Sequence, residues 1–191
     1  MGNKIICIVG MTGSGKTTAA KELEKNGFFY LRFGQITIDK IKKMGLKVNE
    51  ANERKIRESL REKYGMGAFA ILNIPKIDKL LKKGNVVIDG LYSWTEYKIL
   101  KEKYGSSLFV VAIFAPPELR YKRLEKRQIE GDTKKLFRSL SEKEARARDF
   151  SEIENLEKGG PIAMADFTIL NTGTIGELRK KVNEILCNIS Q

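Results

Sequence analysis

Short hydrophobic runs alternate with amphipathic segments along the whole chain. The first, third and fourth runs are almost continuously apolar, which is typical of strands buried on both faces of a parallel sheet. The segments between the runs show mostly helical patterns. The alternation predicts an α/β fold with a doubly wound parallel sheet and right-handed crossovers. The predicted strands are residues 4–9, 28–33, 86–89, 108–115 and 167–170.

Local signals mark several helix starts. Ser93-Trp94-Thr95-Glu96 is a capping-box pattern, and Pro117 stands where a first helical turn tolerates proline. Two helical stretches depart from the simple alternation, and Pro75 is expected to interrupt a helix in the first of them. We predict a single domain over residues 1–191, with a core of residues 1–34, 84–130 and 161–191 and insertions at 35–83 and 131–160.

Composition narrows the chemistry. The chain has 191 residues, enough for one sizeable core, and no apolar run approaches the roughly 20 residues of a membrane span. No membrane association and a cytoplasmic location are therefore expected. The two cysteines form no disulfide framework or metal-ligand spacing. Histidine is absent, so any chemistry must use Lys, Arg, Asp, Glu or a bound metal, which suits phosphoryl transfer.

The formal net charge is +12, which favours anionic partners such as nucleotides, acidic cofactors or nucleic acids. Residues 35–83 hold thirteen Lys and Arg against six Asp and Glu, and residues 117–150 hold eleven against seven. Most of the excess therefore lies outside the predicted strands. Solvated helix faces remain the alternative interpretation, since acidic residues are interspersed throughout.

A glycine-rich loop follows the first predicted strand and opens the next helix. Residues 10–17 have the pattern Gly-x4-Gly-Lys-Thr, in which successive backbone N–H groups form a nest around phosphate oxygens. The helix directs its positive end at the same anion, and the lysine reaches the outer phosphates. The predicted nucleotide-binding residues of this P-loop are Gly10, Thr12, Gly13, Ser14, Gly15, Lys16, Thr17 and Thr18.

An acidic residue ends the third predicted strand. Asp89 is placed to hold Mg²⁺ or its water shell beside the P-loop, and the hydroxyl of Thr17 can ligate the same ion. A strand-terminal Asp-Gly turn is the alternative interpretation. The guanine-reading motif Asn-Lys-x-Asp is absent, which favours ATP over GTP. ATP and Mg²⁺ are the predicted cofactors.

Three further segments extend the pattern. Residues 110–116 precede Arg120-x-x-Arg123-Leu124-x-x-Arg127, and Ala165-Asp166-Phe167-x-Ile169-x-Asn171-x-Gly173 spans the last strand. Together with the P-loop and Asp89-Gly90, they make the chain resemble the nucleoside-monophosphate-kinase-like branch of P-loop kinases over essentially its whole length. The resemblance is strongest to dephospho-CoA kinases and archaeal adenylate-kinase-related proteins. It implies a three-layer fold with a five-stranded parallel sheet, an acceptor-binding helical insertion at 35–83 and a helical lid at 131–160.

The resemblance also implies residue roles. Arg123 and Arg127 would clamp the transferring phosphate together with Lys16, while Asn171 and Gly173 would form the adenine side of the site. Arg120 shares their helix face. Further candidates for phosphate contacts are Arg138, Arg146 and Arg148 in the lid and Arg54, Arg57 and Arg61 in the insertion; a solvated stripe paired with glutamates is the alternative for the last three.

Two departures leave the acceptor open. Dephospho-CoA kinases place an acidic residue just after the second strand, whereas here the first acid after that strand is Asp39. Asp39 is therefore the candidate general base or acceptor-orienting acid. Adenylate-type kinases follow their Asp-Gly with an arginine, but here Leu91 follows. Neither acceptor signature is intact.

The sequence thus predicts a Mg²⁺-ATP-dependent kinase that transfers the γ-phosphoryl group to a small nucleotide or nucleotide-like acceptor, of the nucleoside monophosphate or dephospho-CoA type. One alternative is a kinase acting on nucleic acid, which the positive charge favours. The other is a nucleotide-dependent ATPase that serves as a switch or assembly factor. A monomer or a homodimer is expected.

Overall fold

The computed structural model describes residues 2–130 and 140–190, with side chains omitted at 127–130 and 190. Strands and helices alternate as the hydrophobic pattern predicts. The elements in chain order are β1 (Ile5–Val9), α1 (Lys16–Lys25), β2 (Phe29–Arg32), α2 (Gln35–Lys43), α3 (Glu50–Tyr64), α4 (Ala68–Leu81), β3 (Val86–Asp89), α5 (Trp94–Tyr104), β4 (Leu108–Phe114), α6 (Pro117–Glu130), α7 (Glu142–Leu156), α8 (Gly159–Ala163), β5 (Phe167–Leu170) and α9 (Ile175–Ser190).

The strands of the described residues form one parallel sheet in the order β2-β3-β1-β4-β5. Every residue of β1 and β3 is buried, which explains their apolar runs. One face of the sheet packs against α1 and α9, and the other packs against α4 and α5. The predicted three-layer fold with a five-stranded parallel sheet is therefore confirmed.

The order of the strands determines where a site can form. Because β1 lies between β3 and β4, the loops after these three strands meet at the carboxyl edge of the sheet. The chain reverses its direction of winding there, and such switch points form the crevice in which α/β sheets bind ligands. The glycine-rich loop and Asp89 both lie at this edge.

Local chemistry explains most helix boundaries. Ser93 caps α5 by accepting a hydrogen bond from the Glu96 backbone N–H, and the Glu96 carboxylate accepts one from the Ser93 N–H in return. Helix α6 begins at Pro117, as expected. Pro75 does not interrupt its helix: α4 runs through it from Ala68 to Leu81. Burial of apolar residues on both sides of Pro75 outweighs the missing backbone hydrogen bond.

The first predicted insertion contains α2–α4, between β2 and β3, and the second contains α7 and the first residues of α8, before β5. Residues 131–139 of the predicted lid, including Arg138, lie outside the described residues. The division into core, insertion and lid stays a prediction. Among the described helices, none combines the length and the apolar character that crossing a membrane requires.

Candidate active site

The glycine-rich loop needs its glycines for two physical reasons. Gly10, Gly13 and Gly15 have positive φ angles of 137°, 82° and 107°, which side chains rarely adopt. A Cβ atom at Gly10 would also lie 2.3 Å from the carbonyl oxygen of Ile113, and one at Gly15 would lie 2.4 Å from Nδ2 of Asn171. The loop is therefore fixed closely against the end of β4 and the segment that follows β5.

Two side chains hold backbone carbonyl groups of this loop. Asn171 Nδ2 donates to the Ser14 oxygen over 2.7 Å, and the Arg120 guanidinium donates to the Thr12 oxygen over 2.9 Å. Carbonyl oxygens would repel a phosphate group, so their engagement by neighbouring side chains favours a loop that presents N–H groups to an anion. Asn171 thus contacts the loop, whereas the sequence predicted it on the adenine side.

Lys16 begins α1 and folds back over the loop. Its ammonium group donates to the Met11 carbonyl oxygen over 2.9 Å. Burial, followed by the positive charge of Lys158, lowers the pKa of Lys16 to about 7, against the opposing charges of Glu152 and Asp89. A phosphate group beside this lysine would favour its charged form. An anion bound at the loop would therefore raise the pKa of Lys16.

Asp89 accepts two hydrogen bonds at the end of β3. The Thr17 hydroxyl donates to its Oδ2 over 2.9 Å, and the Tyr30 hydroxyl donates to the same atom over 2.8 Å. Burial and the Asp89 charge raise the pKa of Tyr30, so the phenol remains a donor. A carboxylate and a hydroxyl beside a phosphate loop are hard oxygen ligands, which fits Mg²⁺. Thr17 and Asp89 would hold it.

A cavity of about 490 Å³, part of it open to solvent, has walls from β2, the helices α2, α3 and α4, and the helix α7. Its lining combines arginines and glutamates with aromatic and aliphatic side chains. The lining residues are Arg32, Gly34, Thr37, Ile38, Glu53, Arg57, Arg61, Phe69, Tyr92, Arg148, Glu152 and Leu156. Such a mixture of apolar surface and converging polar groups is typical of small-molecule sites.

Two buried polar atoms in the cavity wall have no hydrogen-bond partner among the described residues. They are Thr37 Oγ1 and Arg61 Nε. The Arg61 guanidinium lies 5.2 Å from the centre of the Phe69 ring, and burial lowers the pKa of Arg61 against the opposing charge of Glu96. Buried polar groups are normally paired, because leaving one unpaired costs about 1–3 kcal/mol. An anionic ligand with hydrogen-bond acceptors would pair both.

Helix α7 joins the glycine-rich loop to the cavity. Arg120 on α6 forms a buried ion pair with Asp149, at 3.0 and 2.5 Å, while it donates to Thr12. One turn further along α7, Glu152 accepts hydrogen bonds from Arg148 at 2.8 Å and from the buried Lys158. Arg120 is thus a buried residue that holds the loop through Thr12, and it is not an exposed member of a basic helix face.

The structure brings some predicted residues together and not others. Residues 10–18 and Asp89 form one site, and Arg123 donates to the Gly173 oxygen over 3.4 Å. Asp39 is exposed on α2, accepts a hydrogen bond from Gln35 at 2.8 Å and is not among the residues lining the cavity. The side chain of Arg127 lies outside the described part of the chain.

The arginine candidates of the insertion and lid differ in position. Arg57, Arg61 and Arg148 line the cavity, whereas Arg54 and Arg146 are exposed. Arg57 is paired with Glu50 and Glu53, at 2.6 and 3.3 Å, as the solvated-stripe interpretation expects. Sequence reasoning missed several cavity and loop neighbours: Tyr30, Arg32, Thr37, Glu152 and Lys158. Of these five residues, only Glu152 could have been found from a local sequence signal, which is its i,i+4 spacing from Arg148.

Comparison with known proteins identifies the family of the chain. A family model described as an AAA domain matches residues 6–157. A UPF0200 protein of Thermococcus onnurineus is 33% identical over 184 residues, covering 95% of this chain and 96% of the relative. A UPF0200/UPF0201 protein of Archaeoglobus fulgidus is 33% identical over 189 residues, and the match spans 98% of this chain but 56% of that protein.

Two solved structures share the fold. Shikimate kinase from Acinetobacter baumannii superposes with a TM-score of 0.57 at 21% identity, covering 97% of this chain and 94% of that one. A gluconokinase from Sinorhizobium meliloti gives 0.59 at 12% identity, covering 98% and 93%. The fold predicted from the resemblance to P-loop kinases is therefore confirmed. The chain belongs to the UPF0200 family and carries its P-loop within a matched AAA domain.

Proposed function

We propose that this protein is a Mg²⁺-ATP-dependent kinase that transfers the γ-phosphoryl group to a small anionic acceptor bound in the cavity beside Lys16. The observation that carries the proposal is the pair of buried, unpartnered cavity atoms, Thr37 Oγ1 and Arg61 Nε, within the described residues. Glu152 lines the same cavity, and its carboxylate accepts a hydrogen bond from the Thr12 hydroxyl of the P-loop.

The donor half of the site follows from the P-loop. Its N–H groups and Lys16 would bind the ATP phosphates, and Thr17 and Asp89 would hold Mg²⁺, which neutralises charge on the transferring group. Arg123 could join them, because its Nη1 is buried and lacks a partner among the described residues. Phosphoryl transfer depends mainly on positioning and electrostatic stabilisation, so a chain without histidine can perform it.

The acceptor half is defined by charge and shape. Arg61 would bind a phosphate or carboxylate group of the acceptor, and the Thr37 hydroxyl would bind a second polar atom. The rings of Phe69 and Tyr92 offer apolar surface to the rest of the molecule. A nucleotide or nucleotide-like acceptor fits this description. The two structural neighbours are named as kinases of gluconate and shikimate. Both compounds are small hydroxy acids that meet the same requirements, so they are further candidate acceptors.

A coupled assay of ADP release tests the proposal. The acceptors to screen are nucleoside monophosphates, dephospho-CoA, shikimate, gluconate and short oligonucleotides, each against a reaction without acceptor. We expect one small anionic class to raise ADP release at least tenfold, and chelation of Mg²⁺ to abolish it. Stimulation by oligonucleotides alone would favour the nucleic-acid kinase, and slow hydrolysis insensitive to all of them would favour the ATPase switch.

Replacing Arg61 with methionine is expected to raise the KM for the acceptor about 10- to 100-fold, because hydrogen bonds to charged groups contribute about 1.5–3 kcal/mol. The KM for ATP should change less than twofold. The control is Arg54→Met on the same helix, since Arg54 is exposed and pairs with the exposed Glu58. Steady-state kinetics with the acceptor found in the screen give both KM values. An equal increase in the acceptor KM for Arg61→Met and Arg54→Met would contradict the assignment of Arg61.

A further inference from the structure

A carboxylate from helix α7 reaches the glycine-rich loop. The Thr12 hydroxyl lies 3.5 and 3.4 Å from the two carboxylate oxygens of Glu152. One of these oxygens also accepts a hydrogen bond from Arg148 Nε over 2.8 Å, and the other accepts one from the Lys158 ammonium. Glu152 is thus the point at which the loop, helix α7 and the start of helix α8 meet.

This cluster is buried and lies beside the P-loop lysine. Glu152 is 4% exposed and Lys158 is 1% exposed. Glu152, Lys158 and Arg148 are all close enough for their charges to act on the Lys16 ammonium. Lys158 also lies 5.1 Å from the centre of the Tyr92 ring. The Glu152 carboxylate therefore lies among three cations, Arg148, Lys158 and Lys16, and beside the Thr12 hydroxyl of the loop.

This set of donors is suited to a phosphate group as well as to a carboxylate. Lysine and arginine form charge-assisted hydrogen bonds with the oxygens of either anion. A terminal phosphate group has three oxygens and carries more negative charge than a carboxylate, so it would gain more from the same cations. The P-loop lysine of such folds contacts the outer phosphates of the nucleotide, which places the terminal phosphate on this side of the loop.

We infer that Arg148, Lys158 and Thr12 form a binding site for the terminal phosphate group of a nucleoside triphosphate, and that Glu152 fills this site when no triphosphate is bound. The inference rests on the proposed function only in assuming that the P-loop binds ATP. A triphosphate must displace the carboxylate, whereas a diphosphate leaves it in place. Glu152 is then an internal competitor that discriminates against ATP relative to ADP.

Replacing Glu152 with glutamine tests the competition, because the amide keeps the shape but loses the charge. The probes are ADP and a non-hydrolysable ATP analogue, titrated calorimetrically with Mg²⁺. We expect the analogue to bind at least tenfold more tightly to the variant than to the natural protein, while the affinity for ADP changes less than threefold. The matched control is Glu154→Gln, which removes the same charge from an exposed position on α7.

The glutamine variant leaves the buried Lys158 without its charged partner, so Lys158→Met provides a second measurement that does not depend on the stability of that variant. It keeps Glu152 but removes a cation, and it should weaken binding of the analogue at least tenfold with little effect on ADP. The double variant Glu152→Gln/Lys158→Met removes both charges, and its affinity for the analogue should fall between those of the single variants.

Three outcomes would overturn the inference. They are an unchanged or weaker affinity of the glutamine variant for the analogue, an equal gain for ADP and the analogue, and an equal gain in Glu154→Gln. If the glutamine variant does not fold, Lys158→Met alone tests the inference. A loss of affinity for ADP as large as the loss for the analogue would then overturn it. Failure of the natural protein to bind any nucleotide would refute the proposed function as well.

Discussion

Substituting alanine for Lys16 is expected to lower phosphoryl transfer about 10²- to 10³-fold, because removing one preorganised donor to a developing oxyanion has that effect. Nucleotide affinity should fall as well, since the ammonium is the loop's own point charge for the outer phosphates. The measurements are calorimetric binding of Mg²⁺-ADP and the coupled ADP-release assay. Turnover as fast as that of the natural protein would refute the assignment of the P-loop.

The same substitution should not destabilise the folded protein. Burial and Lys158 lower the pKa of Lys16 to about 7, so the folded state disfavours the charged form that the unfolded chain prefers at neutral pH. That unfavourable contribution is complete below about pH 7 and disappears as the pH rises towards the ordinary pKa of lysine. The Met11 oxygen keeps the Ser14 N–H as a donor. We expect an unchanged or higher melting temperature without nucleotide.

Lys25→Ala is the matched control. Lys25 lies in the last turn of the same helix and is exposed. It should change neither nucleotide binding nor turnover. A fall in melting temperature of Lys16→Ala alone would mean that the lysine stabilises the empty loop, contrary to the direction of its pKa.

The central strands could be predicted because they are buried: every residue of β1 and β3 is buried, and both strands form almost continuous apolar runs. The edge strands β2 and β5 are partly exposed and were located from shorter hydrophobic runs. β3 and β5 were located to the residue and the other strands to within one residue at each end. The interruption predicted at Pro75 was wrong. Local preference cannot show that the residues on both sides of the proline are buried in the core, where packing keeps the helix continuous.

The two halves of the candidate site differ in how directly they can be recognised in the sequence. The donor half consists of one continuous loop, which its spacing identifies directly, and Asp89, which the parallel pairing of β1 with β3 brings beside that loop. The cavity instead joins residues from distant parts of the chain: Arg32 on β2 and Glu152 on α7 line the same space. No local pattern records such an arrangement. The search for an acid after β2 therefore selected Asp39, which the fold leaves exposed, whereas Glu152 comes from α7.

Arg120 links these two halves, and replacing it with alanine should cause the largest loss of stability. The buried Asp149 carboxylate would lose its cation and keep the hydrogen bond from the Tyr121 hydroxyl, and the carbonyl oxygens of Thr12 and Ala115 would lose a donor. Removing one partner of a buried ion pair costs about 3–5 kcal/mol. In a chain of this length each kcal/mol lowers the melting temperature by about 2–4 °C, so a fall of about 6–20 °C is expected.

The double variant Arg120→Met/Asp149→Leu separates stability from the geometry of the loop. Replacing both charges with apolar side chains is often neutral, so most of the melting temperature should return. Nucleotide affinity should be lower than that of the natural protein, because the Thr12 carbonyl group lacks the donor that holds it. Lys122→Ala, which removes an exposed i,i+4 pair on the same helix, is the control and should change neither property. If the double variant recovered both melting temperature and nucleotide affinity, Arg120 would serve only to neutralise Asp149, and the P-loop would hold its shape without a contact from α6.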